Sequence, residues 1–571
     1  MFLAVLVSLP LIQNHGSFSY PLDDTYIHMV IADNLAHKGV WGINGKEFAS
    51  ASSSILYPIV MAAAFKLTDN QLYVPLYLNI AAAILCLFAL NSAMRFFCFG
   101  PLMRTLALLT IILCTPLPAT ALMGMEHTLQ ILLAIIFVHL AARLLVSSRT
   151  DTREHVVLLL FTMLFMSVRY ESLFFLPFFL MALLLQRKYL HFITVLAASI
   201  LPAVIFGTYS IMHGGYFFPN TLIIKSFIDK SQLAGNLQMI LDNIRKGATI
   251  ISLLLMSSFL FFARNYPRID FKSKSFMVYG LFTTTALIHI SLAMVGRFYR
   301  YEAYLVPIGL LAVFACLSDG PEKDARSMFS RLRFNRATGA LAGLTILCIP
   351  VLNNLSLEVV SLKVLPYTVI ISVLAIVLTI IIKVRVPGAD YRPAIIYSVL
   401  FCILISPLIA RGVLSQIRVP TAMNNIYEQQ YQMGAFVKEY YSGNNVAVND
   451  LGAVSYFGNA HVLDLWGLGD KETLEAKNHR GFNPDFIKRI VDDRGIELLM
   501  VYDRWFEPYG GFPETFHKVG KWTIYNNVVC GEDNVSFYAP DRDSARELES
   551  NLAAYRDTLP SSVKVELFHV R

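Results

Sequence analysis

Two adjacent aspartates, Asp23 and Asp24, stand in the first polar stretch of the chain, at the start of the segment DDTYIH. Pro21 restrains the approach, and Asp24 can cap a helix that would run as far as Gly39. Capping needs one oxygen-bearing side chain, so the other carboxylate is available to act as a general base or to bind a hydroxyl. Because the capping role suits Asp24, the pattern favours Asp23 as the base. The alternative, that both aspartates only cap the helix, stays open.

Further charged and polar residues recur where apolar segments end. Arginine binds phosphate oxygens in a bidentate manner. A set of arginines at the same side of the apolar segments therefore favours a phosphate ligand. For any single arginine, pairing with a nearby glutamate or snorkelling to the membrane interface is the alternative. The candidates are Glu126 and His127, Arg169 and Glu171, Asn220 and Lys225, and Arg297, Arg300 and Glu302.

Composition indicates what must position these residues. Of the 571 residues, 56% are hydrophobic and only 15% are charged, whereas a soluble chain carries about 25% charged residues. Long apolar runs with few charges are typical of a polytopic α-helical membrane protein. The net charge of +7 comes from basic residues in short loops between apolar segments, which excludes a nucleic-acid stripe. The seven cysteines show no metal-ligand spacing.

Apolar length predicts thirteen spans. The basic loops mark the cytoplasmic side, so residues 14–55 and those after about 411 are expected outside. Residues 53–67 would break this parity if they crossed, and are therefore expected to form a re-entrant or interfacial helix. The spans are predicted at 1–13, 73–95, 102–116, 126–144, 156–168, 172–186, 190–208, 248–263, 276–294, 303–317, 339–355, 365–383 and 393–410.

The helix that follows the two aspartates carries Ile27, Val30, Ile31 and Leu35 at helical spacing. We expect it to lie flat on the membrane or against the spans. The spans themselves are nearly free of Asp, Glu, Lys and Arg, which ion-coupled transporters usually carry near the membrane midplane. The sequence therefore places the chemistry at the outer surface.

The chain changes character near residue 416. Residues 444–457 and 461–470 are predicted to form short strands that end in polar turns. Residues 483–495 form an amphipathic helix, and residues 496–503 form a buried strand. We therefore divide the chain into a transmembrane module, 1–415, and an extracytoplasmic α/β domain, 416–571. No glycine-rich nucleotide loop accompanies the domain.

The order of these motifs resembles the GT-C superfamily of membrane glycosyltransferases, which use polyprenyl-phosphate-linked sugars. The resemblance rests on DDTYIHMVIADNLAHKG, ASASSSILYPIVMAAAFKL, MGMEHTLQILLAI and SVRYESLFFLP, in that order. GYFFPNTLIIKS and VAVNDLGAVSYFG with VLDLWGLGD are similar to the mycobacterial arabinofuranosyltransferase branch and its uncharacterised bacterial relatives. The resemblance extends from Leu9 to about Asp470.

The resemblance implies an inverting transfer in which Asp23 or Asp24 deprotonates the acceptor hydroxyl. It also implies a cell-envelope glycan, lipid or protein as acceptor, at the outer face of a bacterial plasma membrane. A divalent metal is possible, with Glu126, His127 and His289 as available ligands. Basic residues would hold the donor phosphate, and the candidates are Arg169, Lys225, Arg297 and Arg300. The remaining candidates for substrate binding are Glu126, His127, Glu171, Asn220 and Glu302.

Two other classes of protein fit the same pattern. A transporter or flippase of lipid-linked sugars would use the arginines as a path for the headgroup. A non-catalytic membrane protein would bind an envelope polymer through its α/β tail. A transporter is distinguished by passage of the lipid-linked sugar from the cytoplasm to the outside and by an open cavity through the spans. The non-catalytic protein is distinguished by binding of the isolated tail, residues 416–571, with no loss when the aspartates are changed.

Overall fold

The computed structural model describes most of the chain. The described residues are 8, 11, 12, 14 and 16–569, except 98, 148–150, 226–232, 266–268, 297, 319–337, 342 and 345–391. Helices occupy the first part of this range, and a mixed sheet occupies the last part.

Helices before the sheet are mostly long and apolar. Those of the first half are α1 (Asp24–Lys38), α2 (Leu56–Phe65), α3 (Val74–Phe96), α4 (Pro101–Cys114), α5 (Leu117–Leu122), α6 (His127–Val146), α7 (Thr152–Val168), α8 (Leu176–Leu185) and α9 (Tyr189–Met212). They are followed by α10 (Asn220–Lys225), α11 (Leu233–Lys246), α12 (Ala248–Asn265), α13 (Lys274–Leu292), α14 (Leu305–Ser318), α15 (Arg392–Ile426) and α16 (Gln432–Tyr440).

Within the described residues, six helices are long and apolar enough to cross a membrane. They are Gln71–Phe96, His127–Val146, Tyr189–Met212, Ala248–Asn265, Lys274–Leu292 and Ile403–Tyr440. The count of thirteen spans is not confirmed, and the spans predicted at 1–13, 339–355 and 365–383 lie wholly or partly outside the described residues. Helix α2 has ten residues, about half of what a crossing needs.

The last long helix continues past the predicted domain boundary at 415. Helix α15 extends from Arg392 to Ile426 and contains Pro407 and Pro420. One π-helical turn, Tyr427–Tyr431, connects it to α16. The apolar helices are therefore connected to the sheet by a continuous helical segment.

The C-terminal part is a six-stranded sheet of order β2-β1-β3-β5-β4-β6. Strands β1 (Asn445–Val448), β2 (His461–Asp464) and β3 (Leu498–Val501) are parallel. Strands β4 (His517–Thr523), β5 (Asn534–Ala539) and β6 (Lys564–Leu567) extend the sheet by antiparallel pairing. Its helices are α17 (Gly452–Phe457), α18 (Lys471–Asn478), α19 (Pro484–Asp493) and α20 (Arg542–Tyr555).

The predicted strand–helix–strand order is confirmed around α19. Asn483 caps this helix, because its side chain accepts the N–H of Phe486 at 2.9 Å, and β3 follows. The prediction of a strand through residues 452–457 is wrong. These residues instead form α17. The backbone N–H groups at the start of this helix donate to a side chain that is far away in sequence, and this contact favours the helix.

The first loop and the sheet domain share one hydrophobic core. Ile27 of α1 and Trp41 and Ile43 of the following loop are buried in the same cluster as Val446 of β1 and Trp522 of β4. The two regions are more than 400 residues apart in sequence. Helix α1 is therefore covered on nearly all sides, including its polar residues Thr25, His28 and Asn34, rather than only on its apolar face.

Candidate active site

Asp23 joins the first loop to the sheet domain. Its Oδ2 accepts the backbone N–H of Gly452 at 2.6 Å, and its Oδ1 accepts the N–H of Ala453 at 2.7 Å. The residue is only 6% exposed. Burial raises the pKa of the Asp23 carboxyl well above its ordinary value, and the neighbouring carboxyl of Asp450 raises that pKa further.

The predicted capping of α1 by Asp24 is wrong. Helix α1 begins at Asp24, so Asp23 stands at the N-cap position, and the Asp23 side chain makes no capping bond. The predicted stop is confirmed, because Gly39 has a φ of 70° and its N–H bonds to the carbonyl of Asn34. The local pattern predicted that one carboxylate would cap the helix. In the structure the carboxylates instead contact residues that are distant in sequence.

Asp24 is paired with an arginine from a distant loop. Its Oδ2 lies 2.6 Å from Nη2 of Arg300, and the Asp24 side chain is 34% exposed. Arg300 is itself buried, and its guanidinium lies over the Tyr301 ring at 5.1 Å from the ring centre. Its Nη1 contacts the sulfur of Met125 at 3.0 Å. Among the described residues, its Nε has no hydrogen-bond partner.

The backbone before Arg300 is strained. Phe298 and Tyr299 have φ angles of 59° and 63°, in the left-handed region that non-glycine residues rarely adopt. Strain of this kind persists only where surrounding contacts enforce it, and it is common at ligand sites. The turn places Arg300 directly after the two strained residues, against Asp24.

Two arginines of α15 hold this strained turn. Arg411 donates from Nη2 to the carbonyl of Tyr299 and lies 3.3 Å from Glu302, while Arg418 donates to the Tyr299 hydroxyl at 3.3 Å. Arg411 is buried, and its Nε and Nη1 have no hydrogen-bond partner among the described residues. Glu302 also accepts the N–H of Gly296 at 2.9 Å. The turn therefore lies among three guanidinium groups.

Arg169 lies between two carboxylates. Its Nη1 is 2.6 Å from Glu126, and its Nη2 and Nε donate to the two oxygens of Glu171 at 2.6 and 3.1 Å. His127 is also close, with its Nε2 3.2 Å from Nη1. All four predicted residues are thus brought together, but the charge of Arg169 is already neutralised by its two partners.

Glu126 also receives groups from the first loop. His28 of α1 lies 3.1 Å from Glu126 Oε2, and the hydroxyl of Ser53 donates to Oε1 at 2.8 Å. Glu126 is fully buried. The cluster around Arg169 therefore connects α6, the turn after α7 and the first loop.

The other predicted site residues have different positions. Asn220 begins α10, and its side chain donates to the carbonyl of Leu468 in the sheet domain at 3.1 Å. The side chain of Lys225, and the whole of Arg297, lie outside the described residues. His289 is buried and contacts the hydroxyl of Tyr304 through Nδ1 at 3.0 Å.

The described residues contain no group of three or more His, Cys, Asp or Glu side chains that could hold a metal ion. Glu126 and His127 both face Arg169, and His289 is bonded to Tyr304. The three possible ligands are thus each bonded to another side chain in the described part of the chain.

Sequence reasoning missed Asp450, Arg411 and Arg418. The two arginines are seven residues apart, which is about two helical turns, so the periodicity of α15 could have placed them on one face. Because the last span is predicted to end at residue 410, the sequence does not indicate that both arginines lie on one helix. No sequence signal connects Asp450 with Asp23.

Known proteins resemble this chain only distantly. Residues 424–538 match a family described as a domain of unknown function (DUF8728). No curated protein matches the chain. The crystal structure of ArnT from Cupriavidus metallidurans bound to undecaprenyl phosphate is similar, with a TM-score of 0.48 and 10% identity over 95% of this chain and 98% of that one. The apo structure of the same protein gives 0.48 and 11% over the same shares. Similarity at this level does not establish a shared function, which therefore depends on the residues of this chain.

Proposed function

We propose that the chain is a membrane glycosyltransferase that moves a sugar from a polyprenyl-phosphate donor to a hydroxyl of a cell-envelope acceptor at the outer face. The observation that carries the proposal is the pair formed by Asp24 and Arg300. The pair combines a partly exposed carboxylate with a buried guanidinium, and one N–H group of that guanidinium has no hydrogen-bond partner among the described residues. These are the two groups that sugar transfer from a phosphate requires.

The base in this proposal is Asp24 rather than Asp23. A general base must be ionised and must reach the proton it removes. Asp24 faces the Arg300 guanidinium, which favours the charged form of a carboxylate, and it is 34% exposed, whereas Asp23 is 6% exposed and both its oxygens accept backbone N–H groups. These contacts support Asp24 as the base, whereas the sequence favoured Asp23.

The leaving group in this proposal is the lipid-linked phosphate. Charge grows on its bridging oxygen as the bond to the sugar breaks, and fixed cations stabilise that charge. Arg300 and Arg411 have buried N–H groups without a partner among the described residues, and Arg418 reaches the same turn through Tyr299. We assign the phosphate to these three arginines. Arg169 has a structural role in this proposal, because Glu126 and Glu171 already neutralise it.

Bond making and bond breaking balance in a single displacement. Asp24 takes the proton of the acceptor hydroxyl, and the acceptor oxygen forms a bond to the anomeric carbon. The bond from that carbon to the phosphate oxygen breaks, and the phosphate leaves with the electron pair. Attack opposite to the leaving group inverts the anomeric carbon. In this proposal the base and the phosphate site share the guanidinium of Arg300, which lies 2.6 Å from Asp24.

The test is reconstitution of the purified chain in lipid vesicles with polyprenyl-phosphate sugars extracted from the source membranes. We expect free polyprenyl phosphate to appear only when an envelope acceptor fraction is also present. Arg300→Gln should abolish this release, while Arg504→Gln, at a side chain that is 73% exposed, should not change it. Equal release with Arg300→Gln would overturn the proposal.

A further inference from the structure

A second carboxyl meets Asp23 at the contact with the sheet domain. Asp450 follows β1 and stands two residues before Gly452, whose N–H Asp23 accepts at 2.6 Å, and the Asp450 and Asp23 side chains interact with each other. Asp450 Oδ2 also accepts the side-chain N–H of Gln430 at 2.9 Å and the hydroxyl of Tyr502 at 3.1 Å. The two acids are 427 positions apart, so the fold alone brings them together.

Asp23 is buried and Asp450 is partly buried. Two carboxyl groups that share one site repel each other when both are ionised, so such a pair holds one proton between them. The other titratable groups that face the pair are Asp24, Tyr26, Tyr502 and Cys530, none of which is cationic. In the described part of the chain, neither Asp23 nor Asp450 forms an ion pair with lysine, arginine or histidine. Arg300 faces Asp24 instead.

The backbone around the pair is closely fitted. A Cβ atom at Gly452 would lie 2.1 Å from the backbone oxygen of Asp23 and 2.7 Å from its Oδ2. The glycine thus lets the start of α17 approach the turn that carries Asp23 and Asp24. Any repulsion between the two carboxyls acts directly on this turn.

We propose that Asp450 is a positioning residue, which shares a proton with Asp23 and so fixes the turn that presents Asp24 to the acceptor. The inference rests on the proposed function, since it names the group that holds the base in place. It also gives the sheet domain a part in the reaction. Ionisation of the second carboxyl would push the start of α17 away from the first loop.

Hydrogen exchange of the full chain in detergent tests this contact without any substrate. After correction for intrinsic rates, protection of residues 449–457 should fall as pH rises from acid to alkaline values, because burial raises the pKa of the Asp23 carboxyl above its ordinary range. In Asp450→Asn, an amide N–H donates to Asp23 at every pH, so protection should stay constant. Asp557→Asn, at an exposed acid of the same domain, should behave as wild type. Constant protection in the wild-type chain would overturn the inference.

The activity readout separates positioning from general support of the fold. We expect kcat/KM of the wild-type chain to fall at alkaline pH. In Asp450→Asn this fall should disappear, while the rate at low pH stays within about threefold of the wild-type rate. A residue that only supports the fold would lower the rate by one factor at every pH, and that result would refute the positioning role. If the chain transfers no sugar, the exchange experiment still decides whether the shared proton exists.

Discussion

The carboxylate of Asp24 and the guanidinium of Arg300 are 2.6 Å apart, and they join the first loop to the strained turn between α13 and α14. Neither residue is near the other in sequence. The pair holds a carboxylate at a position that solvent reaches, and it holds an arginine whose Nε has no hydrogen-bond partner among the described residues. The proposed base and the proposed phosphate ligand thus depend on one contact.

Arg418→Gln should raise the KM for the lipid-linked donor and leave the melting temperature unchanged. Among the described residues Arg418 forms no ion pair, and it donates to the neutral hydroxyl of Tyr299. Its removal therefore leaves no buried carboxylate without a counter-charge. One charged hydrogen bond to phosphate corresponds to about tenfold in KM. Steady-state kinetics over a range of donor concentrations measures this change. An unchanged KM would remove Arg418 from the phosphate site.

Arg169→Met should destabilise the protein by about 3–5 kcal/mol, because it leaves the carboxylates of Glu126 and Glu171 buried without a counter-charge. Thermal unfolding in detergent measures the loss. The matched control is Arg143→Met, since the Arg143–Glu154 pair is exposed and contributes at most about 1 kcal/mol. Normal stability with a raised donor KM would instead make Arg169 a phosphate ligand.

Gly452→Ala should separate the sheet domain from the first loop, because its Cβ would lie 2.1 Å from the Asp23 backbone oxygen. Overpacking of this kind costs about 1–3 kcal/mol. Limited proteolysis of the loop at residues 14–55, together with the melting temperature, reports the change. Gly481→Ala is the control, since its Cβ would approach nothing closer than 3.7 Å. Equal behaviour of the two variants would show that the contact at Gly452 tolerates a side chain.

Local patterns in the sequence predicted what depends on neighbours along the chain. The helix after the two aspartates, its end at Gly39 and the helix capped by Asn483 follow from capping and periodicity. The strand expected at residues 452–457 failed because Asp23 bonds to the amides of Gly452 and Ala453. Secondary-structure propensity depends on neighbouring residues, so it cannot detect a partner that lies 429 residues away.

The site shows the same limit. The sequence named Asp23, Asp24 and Arg300 as candidates by residue type, but it expected Asp24 to cap α1, whereas Asp23 holds the N-cap position and its side chain makes no capping bond. Asp450 has no local signature as a partner of Asp23, and only the shared core of the first loop and the sheet domain brings them together. Which arginine is neutralised by glutamates, and which retains unused donors, depends on side-chain contacts that spacing does not encode.

The most direct measurement is the rate of sugar transfer by Asp24→Asn in reconstituted vesicles, beside Asp33→Asn. Asp33 lies on the same helix, and its side chain is 35% exposed against 34% for Asp24. Loss of a general base predicts a rate about 10²–10⁴-fold below wild type for Asp24→Asn, measured at a temperature at which the variant remains folded, and full activity for Asp33→Asn. Transfer by Asp24→Asn at the wild-type rate would contradict the account.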